Sequence, residues 1–160
     1  KDYDFWWHLA TGRFITQFHT IPHQDIFSFT AFGKGWISHE WLSGLLFYKI
    51  YTFFNLKGIL IFKALLISST LAFLFHFLVG TKKINVFLSL FLILLCTASY
   101  MSMWTERPYH FTLLFSLLFL IILEKNNSTY YILPTTYLLP LLMLFWANLH
   151  GGFFIGFIWC

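Results

Sequence analysis

Long apolar stretches separated by short polar loops dominate the chain from residue 58 onward. The stretch at residues 86–104 contains no charged side chain, and as a helix it would be about 28 Å long at ~1.5 Å per residue. That length is close to the thickness of the hydrocarbon core of a bilayer, about 30 Å. Charged residues make up 10% of the chain, against about 25% in soluble domains. The sequence therefore predicts an all-α, polytopic transmembrane protein.

Apolar stretches predict four complete spanning helices and the start of a fifth between residues 57 and 160. They cover residues 58–79, 86–104, 109–123 and 130–147, and the last begins near residue 153. The third is short, as expected for a span that begins below the membrane surface or crosses a thinned bilayer. Because Lys1 is not an initiator methionine and the last apolar stretch is cut short, we expect a fragment of a longer protein.

Residues 1–56 are predicted to form a first extracytoplasmic loop that carries amphipathic interfacial helices. Residues 5–18 fit a short helix, for which Asp4 is the expected N-cap and Pro22 the expected stop. The alternating pattern and the glycine turn within residues 27–37 indicate a small hairpin.

A second helix is predicted from His39 to about residue 54, with Ser38 as its cap. Its apolar part, residues 41–54, would be about 21 Å long as a helix, which is too short to cross a bilayer. Lys49 lies in its middle, and a lysine can extend its ammonium group to the lipid headgroups. We therefore expect this helix to lie in the membrane interface.

The lysines of the loops predict the orientation. Lys82 and Lys83 follow the first predicted span, and Lys125 follows the third. Loops with lysine usually stay in the cytoplasm. Residues 1–40 and the remaining loops then share the outer face of the membrane.

Ionisable residues from three separate stretches converge on that outer face. Charges beside hydrocarbon are costly and often functional, and both signs are present, which favours a pocket. The alternative is that loops are simply where polar side chains occur. The residues are Asp2, Asp4, His8, Arg13, Asp25, His39, Glu40, Glu106, Arg107, His110, Asn148 and His150.

Asp4, His8 and Asp2 are the catalytic candidates. In a helix, Asp4 and His8 are one turn apart on one face, where a carboxylate can orient an imidazole or act as a general base. Asp2 would point the same way as Asp4 in an extended stretch. The alternative for Asp4 is a structural role as a helix cap.

Basic residues are the candidates for binding an anionic substrate. Arg107 is well suited to phosphate, with an ion pair to Glu106 as the alternative. Lys63 lies near the outer end of the first predicted span and could extend into the site, and His110 follows Arg107 closely.

Two further motifs supply substrate-binding candidates. His39 and Glu40 begin the second predicted helix, where an acidic residue also complements the helix dipole. Asn148 and His150 interrupt an apolar stretch just before two glycines. A tight turn between two spans explains the glycines, and it explains His150 less well.

Nucleic-acid binding and a cysteine-based metal site are not indicated. The net charge of +4 comes from bases spread along the chain, whereas nucleic-acid binding needs clustered bases. Cys96 and Cys160 lie in apolar stretches and match no metal-ligand spacing.

The motifs resemble a group of bacterial multi-spanning proteins of the GT-C glycosyltransferase superfamily. The resemblance covers essentially the whole chain. More distantly, the chain is similar to protein O-mannosyltransferases and lipid A aminoarabinose transferases. The motifs are DFWWHLATG at 4–12, Ile21-Pro22, Asp25, FSFT at 27–30, HEWL at 39–42, Arg107-Pro108 and WANLHGG at 146–152.

The resemblance implies transfer of a sugar from a polyprenyl-phosphate-linked donor to a hydroxyl acceptor, outside the bacterial inner membrane. Asp4 would be the base, His8 its partner and Asp2 an assistant. The donor phosphate or sugar would be bound by Arg107, Lys63, His39, Glu40, His110, Asn148 and His150. Phe5 stands where the mannosyltransferases have a second acid, which leaves open whether a divalent metal takes part.

Two other functions remain open from the sequence. A transporter or flippase for a lipid-linked or anionic solute would show inverted repeats with broken helices, and no repeat is evident here. A non-catalytic relative that only binds a lipid-linked glycan is the third alternative.

Overall fold

The computed structural model describes residues 3–101, 104–126 and 132–159. A π-helical turn, Phe77–Thr81, extends the second helix, and a 3-10 turn, Gly151–Phe153, precedes the last. The described residues contain no named strand, so the predicted all-α class is confirmed. The helices are α1 (Asp4–Phe18), α2 (Trp41–His76), α3 (Val86–Tyr100), α4 (Tyr109–Asn126), α5 (Ile132–Leu149) and α6 (Phe154–Ile158).

Helix α1 begins and ends for reasons other than those predicted. Tyr3 occupies the N-cap position and makes no side-chain cap hydrogen bond, and Asp4 is the first helical residue. The prediction that Asp4 caps this helix is therefore wrong. The helix ends because His19 adopts a left-handed conformation with φ 52°, and its N–H donates to the carbonyl of Ile15 at 2.9 Å. Pro22 lies beyond this stop.

The hairpin predicted within residues 27–37 does not form as two strands. A shorter antiparallel pairing is present, in which the Asp25 N–H donates to the carbonyl of Lys34 and the Trp36 N–H to the carbonyl of His23. A single bridge joins Gln24 and Gly35. The Asp25 carboxylate accepts hydrogen bonds from the Ser28 hydroxyl and from the backbone N–H groups of Ser28 and Phe27. This local capture of N–H groups competes with strand pairing, so the segment turns instead. The Ser28 hydroxyl bond and the two backbone bonds lower the pKa of Asp25 below its ordinary value.

Helix α2 is longer than predicted and contains a kink. It begins at Trp41 rather than His39, with Glu40 at the N-cap position and no cap from Ser38. At Asn55 the backbone leaves the helical region, with φ 54° and ψ −157°. Asparagine tolerates positive φ better than most residues. The boundary that was predicted between an interfacial helix and the first span thus falls at this kink.

One helix among the described residues, Trp41–Thr81, is long and apolar enough to cross a membrane. Only 11% of its most apolar window is buried in the structure, unlike the core helix of a soluble protein. Shorter apolar helices are Val86–Tyr100, Tyr109–Glu124 and Tyr137–Leu149. These features are consistent with membrane association, and the polytopic arrangement remains a prediction.

A shared core joins the N-terminal segment to the later helices. Phe5 and Leu9 of α1 pack with Phe47 and Ile59 of α2 and with Phe111 of α4, and Leu149 completes this cluster. Helix α1 therefore packs against helices that follow it in the chain.

Two glycines bring α1 and α2 into close contact. A Cβ atom on Gly12 would lie 2.1 Å from the carbonyl oxygen of Gly44, and one on Gly44 would lie 2.9 Å from the carbonyl oxygen of His8. The two backbones can approach this closely only because neither residue carries a side chain. This crossing sets the position of His8 against the start of α2.

Candidate functional site

A cavity of about 310 Å³ lies between the first half of α1 and the segment that leads into α2. Its walls combine carboxylates, imidazoles and tryptophans, a mixture suited to a polar ligand with some apolar surface. The lining residues are Asp4, Trp7, His8 and Thr11 of α1, and Trp36, Ile37, Ser38, His39 and Glu40.

The first ion pair at the site joins residues that are distant in sequence. Arg107 Nη2 lies 2.8 Å from Asp4 Oδ2. Asp4 is in the first turn of α1, and Arg107 directly precedes Pro108 at the start of α4. Two of the ionisable residues predicted to converge from separate stretches are thus in contact. A guanidinium ion and a carboxylate at this distance form a charge-assisted hydrogen bond.

The second acidic group of the cavity, Glu40, is surrounded by three histidines. His8 Nε2 lies 3.5 Å from Glu40 Oε2, while His39 Nε2 and His150 Nε2 lie 3.8 and 3.6 Å from Oε1. The backbone N–H of Gly151 also donates to Oε1, at 3.2 Å. Glu40 is therefore the point at which α1, α2 and the end of α5 meet.

His150 is held from its buried side. Its Nδ1 atom accepts a hydrogen bond from the N–H of Gly152 at 3.0 Å and lies 2.6 Å from the hydroxyl of Thr112. Burial lowers the pKa of the His150 imidazole below its ordinary value, and the Glu40 charge opposes that shift in part. His150 is not among the residues that line the cavity, so it reaches the site through Glu40.

Asn148 connects helices rather than facing the cavity. Its Oδ1 atom accepts a hydrogen bond from Trp41 Nε1 at 2.6 Å, and its Nδ2 atom donates to the carbonyl of Leu144 at 2.7 Å. Nearby, the Ser43 hydroxyl donates to the carbonyl of Leu149. These bonds fasten the end of α5 to the start of α2.

Lys63 and His110 lie outside the lining of this cavity. Lys63 Nζ contacts Glu106 Oε1 at 2.5 Å and donates to the carbonyl of Trp104 at 3.2 Å. His110 is 3% exposed, and its Nε2 atom lies 2.9 Å from the carbonyl of Thr105. Glu106 thus pairs with Lys63, while Arg107 pairs with Asp4.

A second cavity, of about 510 Å³, lies between α2, α3 and α4. Six of its thirteen lining residues are aliphatic, such as Ile67, Leu71 and Leu95. Tyr100 and His110 also line it. His110 therefore belongs to a different environment from Asp4 and Glu40.

No group of three potential ligands among the described residues is arranged to hold a metal ion. Asp2, the proposed assistant of Asp4, lies outside the described residues. The expectation of a possible divalent metal therefore gains no support from the described part of the chain.

Sequence reasoning missed several residues that build the site. Trp7 and Trp36 form a cavity wall, and their rings pack edge to face with centroids 6.0 Å apart. The Thr112 hydroxyl lies within hydrogen-bond distance of His150 Nδ1, and Trp146 Nε1 donates to that hydroxyl. A tryptophan next to a polar motif is a usable signal for Trp36, whereas nothing in an apolar stretch distinguishes Thr112.

Comparisons of the chain with protein-family models, with curated proteins and with solved structures found no match.

Proposed function

We propose that the chain belongs to a polytopic membrane glycosyltransferase of the GT-C type. It transfers a sugar from a polyprenyl-phosphate-linked donor to a hydroxyl acceptor at the outer face of the bacterial inner membrane. The observation that supports this proposal best is the cavity lined by Asp4, which pairs with Arg107, and by Glu40, His8 and two tryptophans.

Each part of this arrangement suits sugar transfer. Carboxylates accept hydrogen bonds from sugar hydroxyls, and tryptophan faces provide apolar surface for the C–H groups of a sugar ring. The attacking hydroxyl must lose a proton, which a positioned carboxylate can accept. Arg107 pairs with Asp4, which lines the cavity, and a guanidinium is well suited to bind the phosphate of the donor. Asp4 is the proposed base and His8 its neighbour in the same wall.

The proposal is tested with Asp4→Asn in the full-length protein. Asparagine keeps the size of the side chain but cannot take the proton, so we expect transfer to fall by at least about 100-fold. Membranes are given a radiolabelled hexose on polyprenyl phosphate, and label that leaves the lipid fraction is measured. Glu124→Gln is the matched control, because Glu124 pairs with Lys82 far from the cavity. Transfer at the wild-type rate by Asp4→Asn would contradict the assignment.

Arg107→Ala tests the proposed phosphate contact in the same assay. Loss of a charged hydrogen-bond donor should raise the donor concentration needed for half-maximal transfer by about tenfold or more. Lys82→Ala is the control, since it removes a cation from the other loop. If wild-type protein in vesicles moves the intact lipid-linked sugar across the membrane without cleaving it, the transporter alternative replaces the enzyme.

A further inference from the structure

The ring of His150 is fixed in one protonation state by its neighbours. Its Nδ1 atom lies 3.0 Å from the backbone nitrogen of Gly152, and a backbone N–H can only donate. Nδ1 must therefore carry the lone pair. Because a neutral imidazole has a single N–H, the proton is on Nε2.

A buried chain of hydrogen bonds reinforces this state. The indole Nε1–H of Trp146 donates to the Thr112 hydroxyl at 3.0 Å, because an indole N–H can only donate. The hydrogen of the Thr112 hydroxyl can then point to His150 Nδ1, 2.6 Å away, where it shares the single lone pair with the N–H of Gly152. Trp146 is 0% exposed and Thr112 9% exposed, so water competes little for these bonds.

The protonated nitrogen of His150 faces the carboxylate of Glu40. The distance from Nε2 to Oε1 is 3.6 Å, longer than a direct hydrogen bond, so the interaction is that of an oriented N–H dipole with a charge. This dipole and the N–H of Gly151 together hold Oε1 toward the end of α5. The other oxygen, Oε2, then faces His8 at 3.5 Å, beside the cavity.

The other two histidines approach Glu40 from other positions. The His39 side chain is 63% exposed, and its Nδ1 atom lies 3.3 Å from the carbonyl of Ile37. His8 itself lines the cavity. His150 reaches Glu40 from the end of α5, with its ring bonded to Thr112 of α4 and to the N–H of Gly152.

We propose that His150 is a positioning residue which, neutral and protonated on Nε2, holds Glu40 so that the carboxylate binds a sugar hydroxyl in the cavity. The part played by the sugar rests on the function proposed above. Titratable groups that face His150 are Glu40 and His39. Protonation of Nδ1 at low pH would set an N–H against the N–H of Gly152, so the Gly152 hydrogen bond must break.

The first arm of the test measures the tautomer directly and needs no activity. Full-length protein carries histidine labelled with nitrogen-15 in the ring, and loss of a signal in His150→Gln assigns residue 150. We expect a protonated Nε2 and an unprotonated Nδ1 at neutral pH. Glu40→Gln should move the His150 nitrogen signals, whereas Glu124→Gln should leave them in place. A proton on Nδ1 at neutral pH, or signals indifferent to Glu40→Gln, would overturn the proposal.

The second arm uses transfer of radiolabelled hexose from polyprenyl phosphate and compares Thr112→Val with Thr112→Ser. Valine removes the hydroxyl that donates to His150, so we expect transfer to fall about tenfold, as for one lost hydrogen bond. Serine keeps the hydroxyl and should stay within about twofold of wild type. Equal transfer by folded Thr112→Val and wild type would refute the positioning role. Inactive wild-type protein would refute the proposed function instead, and the nitrogen spectra would then decide the case for His150 alone.

Discussion

Asp4 and Glu40 share one cavity but have different partners. Asp4 is bound by a permanently charged guanidinium at 2.8 Å, while Glu40 is surrounded by imidazoles and one backbone N–H at 3.2–3.8 Å. An arginine stays charged at any physiological pH, whereas imidazoles can gain or lose a proton in that range. The two carboxylates therefore have different electrostatic surroundings in the cavity.

The two glycines after His150 are predicted to differ in their tolerance of a methyl group. A Cβ atom on Gly152 would lie 2.5 Å from Thr112 Oγ1 and 2.9 Å from His150 Nδ1, but one on Gly151 would be 3.6 Å from its nearest neighbour, in His39. We expect Gly152→Ala to destabilise the protein by about 1–3 kcal/mol through overpacking. Gly151→Ala should cost less than about 0.5 kcal/mol. Thermal unfolding of the purified protein compares the two, and equal losses would argue against the observed turn.

At the scale of elements, the crossing of α1 and α2 determines where the cavity forms. The carbonyl of Gly44 occupies the place that a side chain on Gly12 would need, so α1 lies directly on the first turns of α2. Leu9 and Phe47 pack on the same side of this crossing. The kink at Asn55 lies further along α2 and leaves this contact undisturbed.

Gly12→Ala tests the crossing. The new methyl group would meet the backbone of Gly44, which cannot rotate away, so we expect a loss of about 1–3 kcal/mol or more and a weaker Asp4–Arg107 ion pair. Gly35→Ala is the control, since nothing lies within 4 Å of a Cβ atom there. The midpoint of thermal unfolding is measured for both. An unchanged midpoint for Gly12→Ala would mean that the helices cross further apart.

At the scale of the whole molecule, the predicted orientation can be tested with single cysteines. The background lacks Cys96 and Cys160. The variants Lys34→Cys and Met103→Cys should react with an impermeant thiol reagent from the same side of the membrane. Met103 lies outside the described residues. A cysteine at Lys82 should react from the opposite side. This result is expected if α2 crosses the bilayer once after its kink and α3 crosses back. Reaction of Lys34→Cys and Met103→Cys from opposite sides would contradict the topology.

The helical segments and the interruption near residue 54 could be predicted from local properties of the sequence. Apolar stretches with few charges predicted α3 and α4 to within a few residues at most ends, because an apolar segment must satisfy its own backbone groups. The end of the interfacial segment near residue 54 was also evident, and the structure has its kink at Asn55. Caps and short turns were less predictable, since His19 and Asp25 adopt conformations that depend on a few local hydrogen bonds.

The sequence by itself determined which residues were available to the site, namely the acids, histidines and Arg107 of the three motif stretches. Only the tertiary structure decided their partners. Arg107 pairs with Asp4, whereas the sequence also allowed an ion pair with its neighbour Glu106. Glu40 is contacted by His8 and by His150. Ion pairs and hydrogen bonds act over a few ångströms, so their choice depends on how the helices cross. The close contact between Gly12 and Gly44 and the close packing around Gly152 fix how these elements lie against each other, and thereby which groups come within reach.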